Sequence, residues 1–169
     1  MSFKESHNRL LVKNIISAVE HTLRVQCRTD AKVLKPFLKD AEGVGLIERH
    51  CGLDGLISQI SLDSSEFKGT LSLCFEKKVY IALINKMIGE DYKQVTKENE
   101  DGIGELLNII FGFVKMKLND TGSSYSMARP TIRHTQLNSV SENSIVLLFK
   151  SDVGYFHVEL NPQKVLKVA

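Results

Sequence analysis

DGIGELLNIIFG, residues 101–112, is an apolar helix with three polar side chains and a glycine set into it. At 100° per residue from Ile103, the side chains of Leu106, Leu107, Ile110 and Val114 fall within about 60° of one line and make a single core face. Asp101, Glu105, Asn108 and Gly112 fall opposite, at roughly 160°, 200°, 140° and 180°. They therefore share one narrow stripe along the axis. A glycine inside a helix costs about 1 kcal/mol relative to alanine. At Gly112 any side chain would stand between an approaching surface and the backbone, so close approach by another molecule gives the glycine a reason. Spacing alone is a weak signal: Glu-x-x-Asn arises by chance on polar helix faces, and Glu5-Ser6-His7-Asn8 is a second instance.

Outward from this stretch, the helix is predicted over about 97–119, with Thr96 as a candidate N-cap and NDTGSS (119–124) as a stop. Before it, KKVYIALINKMI (77–88) has helical spacing and ends at Gly89, a plausible C-cap. EFKGTLSLCFE (66–76) alternates, with Phe67, Leu71, Leu73 and Phe75 on one face. VGLIERHC (44–51) and GLISQISL (55–62) flank Asp54-Gly55, a hairpin turn signal, so the three segments read as a β-meander with one buried face. KVLKPFL (32–38) reads as a strand bent or placed at an edge by Pro36, and residues 5–26 as a long amphipathic first helix. TIRHTQL (131–137), NSIVLLF (143–149) and GYFHVEL (154–160) are three further strands. The expectation is one α/β (α+β) domain over 1–169: a largely antiparallel sheet with a long N-terminal helix and two central helices packed on it.

Composition narrows the function classes. A chain of 169 residues with 22 basic and 20 acidic side chains has no basic stripe of the kind a nucleic-acid binder presents. The longest apolar runs are too short to span a bilayer, and the N-terminal residues are charged where a signal peptide needs its apolar region. Cys27, Cys51 and Cys74 are odd in number and form no CxxC, which suits buried reduced thiols in a cytoplasmic protein. No ligand spacing joins His50, Cys51, Cys74 and His157, so no metal site is expected. Ser123-Ser124 with His134 lacks a nucleophile elbow, and Gly102-x-Gly104 lacks the lysine of a phosphate loop.

The motif is longer than the stripe. Asp101-x3-Glu105-x2-Asn108 is followed, after 21 residues, by Pro130. This arrangement resembles the signature of the CheC/CheX/FliY family of bacterial chemotaxis phosphatases. GELLNIIFG (104–112) looks like the family's helix, RPTI (129–132) like the proline that opens its next strand, and FKGTLSLCF (67–75) like its preceding strand. CheC-type members carry two such helices. Here Glu5 and Asn8 have Met1 in place of the acid and Asp30 in place of the proline, so they read as plain surface. The single site is similar to CheX.

The resemblance implies dephosphorylation of a phosphorylated response regulator such as CheY, a homodimer, and no cofactor beyond the Mg²⁺ carried by the partner. It assigns Asn108 to orienting the hydrolytic water, and Glu105 to pairing with the lysine beside the partner's phosphorylated aspartate. Asp101 either contacts the partner or stabilises the positive N-terminal end of its helix. Gly112 leaves room for the partner, and Pro130 sets the start of the following strand. The alternative is an interaction domain of the same fold, either regulator-binding without activity or like the flagellar switch protein FliM. The FliM domain lacks the Glu-x-x-Asn pair.

Overall fold

The fold is that of a computed structural model, which describes residues 3–139 and 143–163; for residues 3–7 and 127 the backbone alone is described. Glu5 of the second Glu-x-x-Asn match, with Met1, lies outside the described side chains. The order is α1 (Phe3–Cys27), β1 (Ala31–Val33), β2 (Phe37–Leu38), α2 (Ala41–Cys51), β3 (Asp54–Asp63), β4 (Lys68–Glu76), α3 (Lys77–Ile88), α4 (Gly102–Asn119), β5 (Ser126–Met127), β6 (Thr131–Gln136), β7 (Ile145–Ser151) and β8 (Gly154–Pro162). All strands join one antiparallel sheet in the order β1-β7-β8-β4-β3-β5, with β2 also on β7 and β6 also on β3.

The strand assigned to 44–51 is instead a helix, and Asp54-Gly55 opens β3 rather than turning a hairpin. The physical cause is local. Asp40 caps α2, its carboxylate accepting a hydrogen bond from the Gly43 N–H at 2.9 Å. Val44, Ile47 and Cys51 then recur at helical spacing and are buried. Gly52, at φ +71°, ends the helix in a conformation open to few other residues. The meander is thus a single hairpin, β3–β4, paired from Gly55↔Glu76 to Asp63↔Lys68. Pro36 divides its segment into two short strands, β1 and β2.

Both faces of the sheet are covered, not one. Alternate residues Leu71, Leu73 and Phe75 of β4 meet α1, α3 and α4 in the main core. That core includes a stack of Phe75, Phe156 and Phe149 with ring centroids 4.8 and 5.0 Å apart. Cys74 points the other way and is also fully buried, with Ile57, Val146 and Leu148 beneath Ile47 and Cys51 of α2. The three cysteines are free and buried, and burial raises their thiols, Cys27 to about 11.

The helices that matter for the site pack by the expected face. Ile103, Leu106, Leu107, Ile110 and Val114 of α4 are all buried, together with Phe111 and Leu118. Burying one such side chain is worth about 1.5–3 kcal/mol, so the orientation of α4 about its own axis is strongly fixed. α4 begins at Gly102, later than the spacing predicts, because residues 97–101 form a tighter turn closed by Asn99 N–H to Thr96 C=O and Gly102 N–H to Asn99 C=O. Thr96 does not cap through its side chain, whose hydroxyl has no partner among the described residues. Its backbone N–H is held instead by Asn99 Oδ1 at 2.9 Å.

Candidate docking site on helix α4

The stripe stands on α4 as the periodicity requires. Asp101, Glu105 and Gly112 are exposed and Asn108 is half-buried. Among the described residues the Glu105 carboxylate makes no hydrogen bond or ion pair. The Asp101 carboxylate makes no capping hydrogen bond. A Cβ added at Gly112 would meet nothing within 4 Å. The glycine therefore answers no packing need within the chain, and its helix-propensity cost of about 1 kcal/mol is uncompensated there.

Asn108 differs from its neighbours. Its carboxamide oxygen is shielded from solvent and has no hydrogen-bond partner among the described residues. An unpaired buried acceptor costs about 1–3 kcal/mol, and such groups collect where a fold serves something besides its own stability. By helical rotation Asn108 lies on the edge of the stripe nearest Gly104, and there α4 meets β6. A Cβ on Gly104 would be 3.7 Å from Pro130 Cβ and 3.8 Å from Ile132 Cδ1. Pro130 immediately precedes β6, where its missing N–H costs no ladder bond. The long-range member of the sequence motif thus sits beside its helix.

Two residues just before the stripe are tied to different neighbours. The Tyr80 hydroxyl of α3 donates to the Asn99 carbonyl. Glu100 Oε2 meets His134 Nε2 of β6 at 2.7 Å, and Glu100 Oε1 accepts from Lys97 Nζ at 2.8 Å. The Lys97 hydrogen bond, then that of His134, hold the Glu100 carboxyl below its usual range. Gly102 closes the α3 side, since a Cβ there would stand 2.3 Å from Ile84 Cδ1. Sequence reasoning missed Tyr80, Glu100 and His134 as supports. The hydroxyl and imidazole come from elements distant in the chain, and no local pattern announces them.

The structure does not bring Ser123 or Ser124 into a hydrogen bond with His134, whose Nε2 is taken by Glu100. It does bring Cys74, His157 and Glu159 together within 4.8 Å. Cys74 and His157 face each other across β4 and β8, a register no sequence spacing reveals. His50 and Cys51 stay out of this group; His50 packs its ring on Tyr155 with centroids 4.7 Å apart. The Glu159 carboxylate is already paired with the buried Lys39 ammonium and takes a 2.9 Å hydrogen bond with His157 Nε2. With that cation in place the cluster is a buried ion-pair network under α2 rather than a vacant cation site.

Comparison with known proteins bears on this geometry. The family model for chemotaxis phosphatase CheX matches residues 56–150, more than half the chain, and takes in the whole of α4 and Pro130. No curated protein sequence matches the chain. Among solved structures, a CheC-like superfamily protein from Shewanella sp. PV-4 superposes with a TM-score of 0.77 at 23% identity, covering 96% of this chain and 99% of that one. Chemotaxis protein CheX from Vibrio vulnificus gives 0.77 at 19% identity, covering 90% and 99%. A chain of the CheX-CheY-BeF3-Mg²⁺ complex of Borrelia burgdorferi gives 0.70 at 16%, covering 90% and 97%. At these identities the superpositions establish the fold.

Proposed function

Since the chain belongs to the family of chemotaxis phosphatase CheX, we propose that it hydrolyses the aspartyl phosphate of a CheY-type response regulator, using the stripe on α4. The observation that carries this reading is the stripe itself. Four residues in line on a helix locked by the core carry, among the described residues, an unpaired carboxylate, an unpaired carboxamide oxygen and a glycine beside open space.

The chemistry asked of these groups is modest. Water attacks phosphorus in line with the leaving carboxylate oxygen; the P–O bond to the aspartate breaks, giving inorganic phosphate and a free carboxylate. The transition state is loose and needs little deprotonation of the water early, so placement matters more than a strong base. A carboxamide suits that task. Asn108 accepts from and donates to the water, and on docking its oxygen gains the partner it lacks in the free protein. Glu105, one turn earlier, pairs with a lysine beside the partner's phosphoaspartate and sets the depth to which α4 enters. Asp101 adds a second exposed carboxylate at the helix start. Mg²⁺ belongs to the regulator, where it offsets the charge of the phosphoryl group.

The proposal extends to assembly and place. Among the described residues β6 is bonded on one side, by β3, and its other edge would take a second copy, giving a homodimer. β8 is paired on both sides, by β4 and β7, and offers no such edge. A dimeric solution mass is expected. Among the described residues no helix is long and apolar enough to cross a membrane, and the site of action proposed is the cytoplasm.

The deciding experiment is phosphate release from a phosphorylated receiver domain. Purified protein accelerates it, and Asn108→Ala removes the acceleration while still binding the receiver. An Asn108→Ala protein as active as the parent would sink the assignment. Binding by the parent without accelerated hydrolysis would leave a regulator-binding domain in its place.

A further inference from the structure

The segment leading into α4 is tied mostly within itself: Asn99 Oδ1 accepts from Thr96 N–H and its Nδ2 donates to the Gln94 carbonyl. Between Thr96 and Glu105, Asp101 makes no side-chain hydrogen bond and Gly102 has no side chain. The backbone of the turn is held to α3 by Tyr80 through the Asn99 carbonyl. Among the described residues its one side-chain hydrogen bond to the sheet is that between Glu100 and His134, at 2.7 Å. These two residues come from the turn and from β6, 34 positions apart in the chain. The pair is partly shielded, Glu100 being 13% and His134 42% exposed. Lys97, on the same carboxylate, is 93% exposed and adds charge but no anchor.

We infer that Glu100 and His134 are positioning residues for the docking stripe, clasping the first turn of α4 to edge strand β6 so that Asp101 and Glu105 stand at a fixed height beside Asn108. The inference rests on the reading of the stripe as the face that meets the receiver. The two halves of that face are held differently. Asn108 lies on the stretch of α4 where Leu107, Ile110 and Phe111 are buried, so the core fixes the backbone that carries it. Asp101 and Glu105 sit on the turn whose backbone closes through Gly104 and Glu105 N–H groups donating to Asp101 C=O at 3.0 and 3.2 Å. That turn is anchored on its inner side by the buried Ile103 and Leu106 and, toward β6, by what holds Glu100. Loosening the clasp thus blurs docking and leaves the placement of water intact once docking has occurred. A surface ion pair with no positioning role would leave both steps unchanged.

The test compares His134→Ala, His134→Gln, Glu100→Ala and the double variant His134→Ala/Glu100→Ala. With a phosphorylated receiver, either alanine variant raises KM about tenfold with kcat within about twofold, the pattern of lost uniform binding. The glutamine variant, whose amide can donate to Glu100, recovers most of the loss. The double variant is no worse than either single one, because both remove the same contact. Backbone amide exchange in the free protein supplies a readout independent of catalysis: it quickens at Gly104 and Glu105 in His134→Ala and is unchanged near Leu118. Unaltered KM, additive losses or unaltered exchange would each overturn the clasp. If the parent protein fails to accelerate phosphate loss, the proposed function falls, and the exchange measurement alone decides whether the clasp stands.

Discussion

Pro130 stands against the first turns of α4, its Cβ 3.7 Å from where a Cβ on Gly104 would lie. That separation is ordinary van der Waals contact, so Gly104 has room for one methyl group and no more. Gly104→Ala is expected to keep activity and to gain about 0.5–1 kcal/mol from helix propensity. Gly104→Leu must push α4 away from Pro130 and Ile132, and phosphate release falls. Melting curves beside release rates separate the two outcomes.

Gly102 faces the opposite demand, because its Cβ would stand 2.3 Å from Ile84 Cδ1 and 2.7 Å from the Tyr80 hydroxyl. Gly102→Ala is expected to destabilise by about 1–3 kcal/mol, the range of an overpacked site. A denaturant midpoint equal to that of the parent would show that α3 yields freely here.

Gly112 offers the cleanest separation of stability from function. A Cβ there meets open space, so Gly112→Ala should stabilise the free protein by about 1 kcal/mol. Under the proposed function the same methyl group enters the room left for the receiver, and KM should rise. Paired thermal melts and saturation curves check both signs; a stabilised variant with unaltered KM would remove Gly112 from the docking face.

For Asn108 the expected result is loss of activity without loss of stability. Removing the carboxamide also removes a buried acceptor that has no partner. Asn108→Ala should therefore melt no lower than the parent, while release slows about 100-fold, the scale of a mispositioned reactant. A large drop in melting temperature would mean that the oxygen is engaged within the folded chain.

The network on the other side of the sheet sets an acid limit. Burial alone pushes the Glu159 carboxyl up, but the His157 hydrogen bond and the charges on His157 and Lys39 outweigh it and hold it below its usual 4.5. A carboxyl depressed in the folded state stabilises the fold above its unfolded value, and that contribution is lost as pH falls through the folded one. Glu159→Gln should flatten the acid limb of the stability profile below pH 4.5. Lys39→Met leaves the buried carboxylate with His157 as its remaining partner, at a cost of about 3 kcal/mol near neutral pH. Urea unfolding across pH tests both.

The stripe was legible in the sequence because all four of its members ride one helix, where a period of 3.6 turns spacing into direction. α1, α3 and the β3–β4 hairpin were legible for the same reason, their apolar positions keeping one period throughout. α2 was misread because the Asp54-Gly55 pair mimics a hairpin turn, which recast the helical spacing of Val44, Ile47 and Cys51 as a strand. Asp40, three residues before Gly43, was the signal that could have corrected it. β5, of two residues, is too short to carry any pattern. What remained hidden is whatever depends on register between distant strands: the sheet's second face, the approach of Cys74 to His157, and the reach of His134 to Glu100.

The face that fixes α4 and the face it shows to others share no side chain. Ile103, Leu106, Leu107 and Ile110 are buried, while Asp101, Glu105 and Gly112 are exposed. Substitutions along the outer row can accumulate with little penalty to folding, and those along the inner row cannot. Over generations such a helix can change what its outer row presents while its scaffold stays constant, and descendants with diverged surfaces can keep superposable backbones at low identity. If the proposed function holds, the same division makes residues 101, 105 and 112 the positions to randomise for a different receiver.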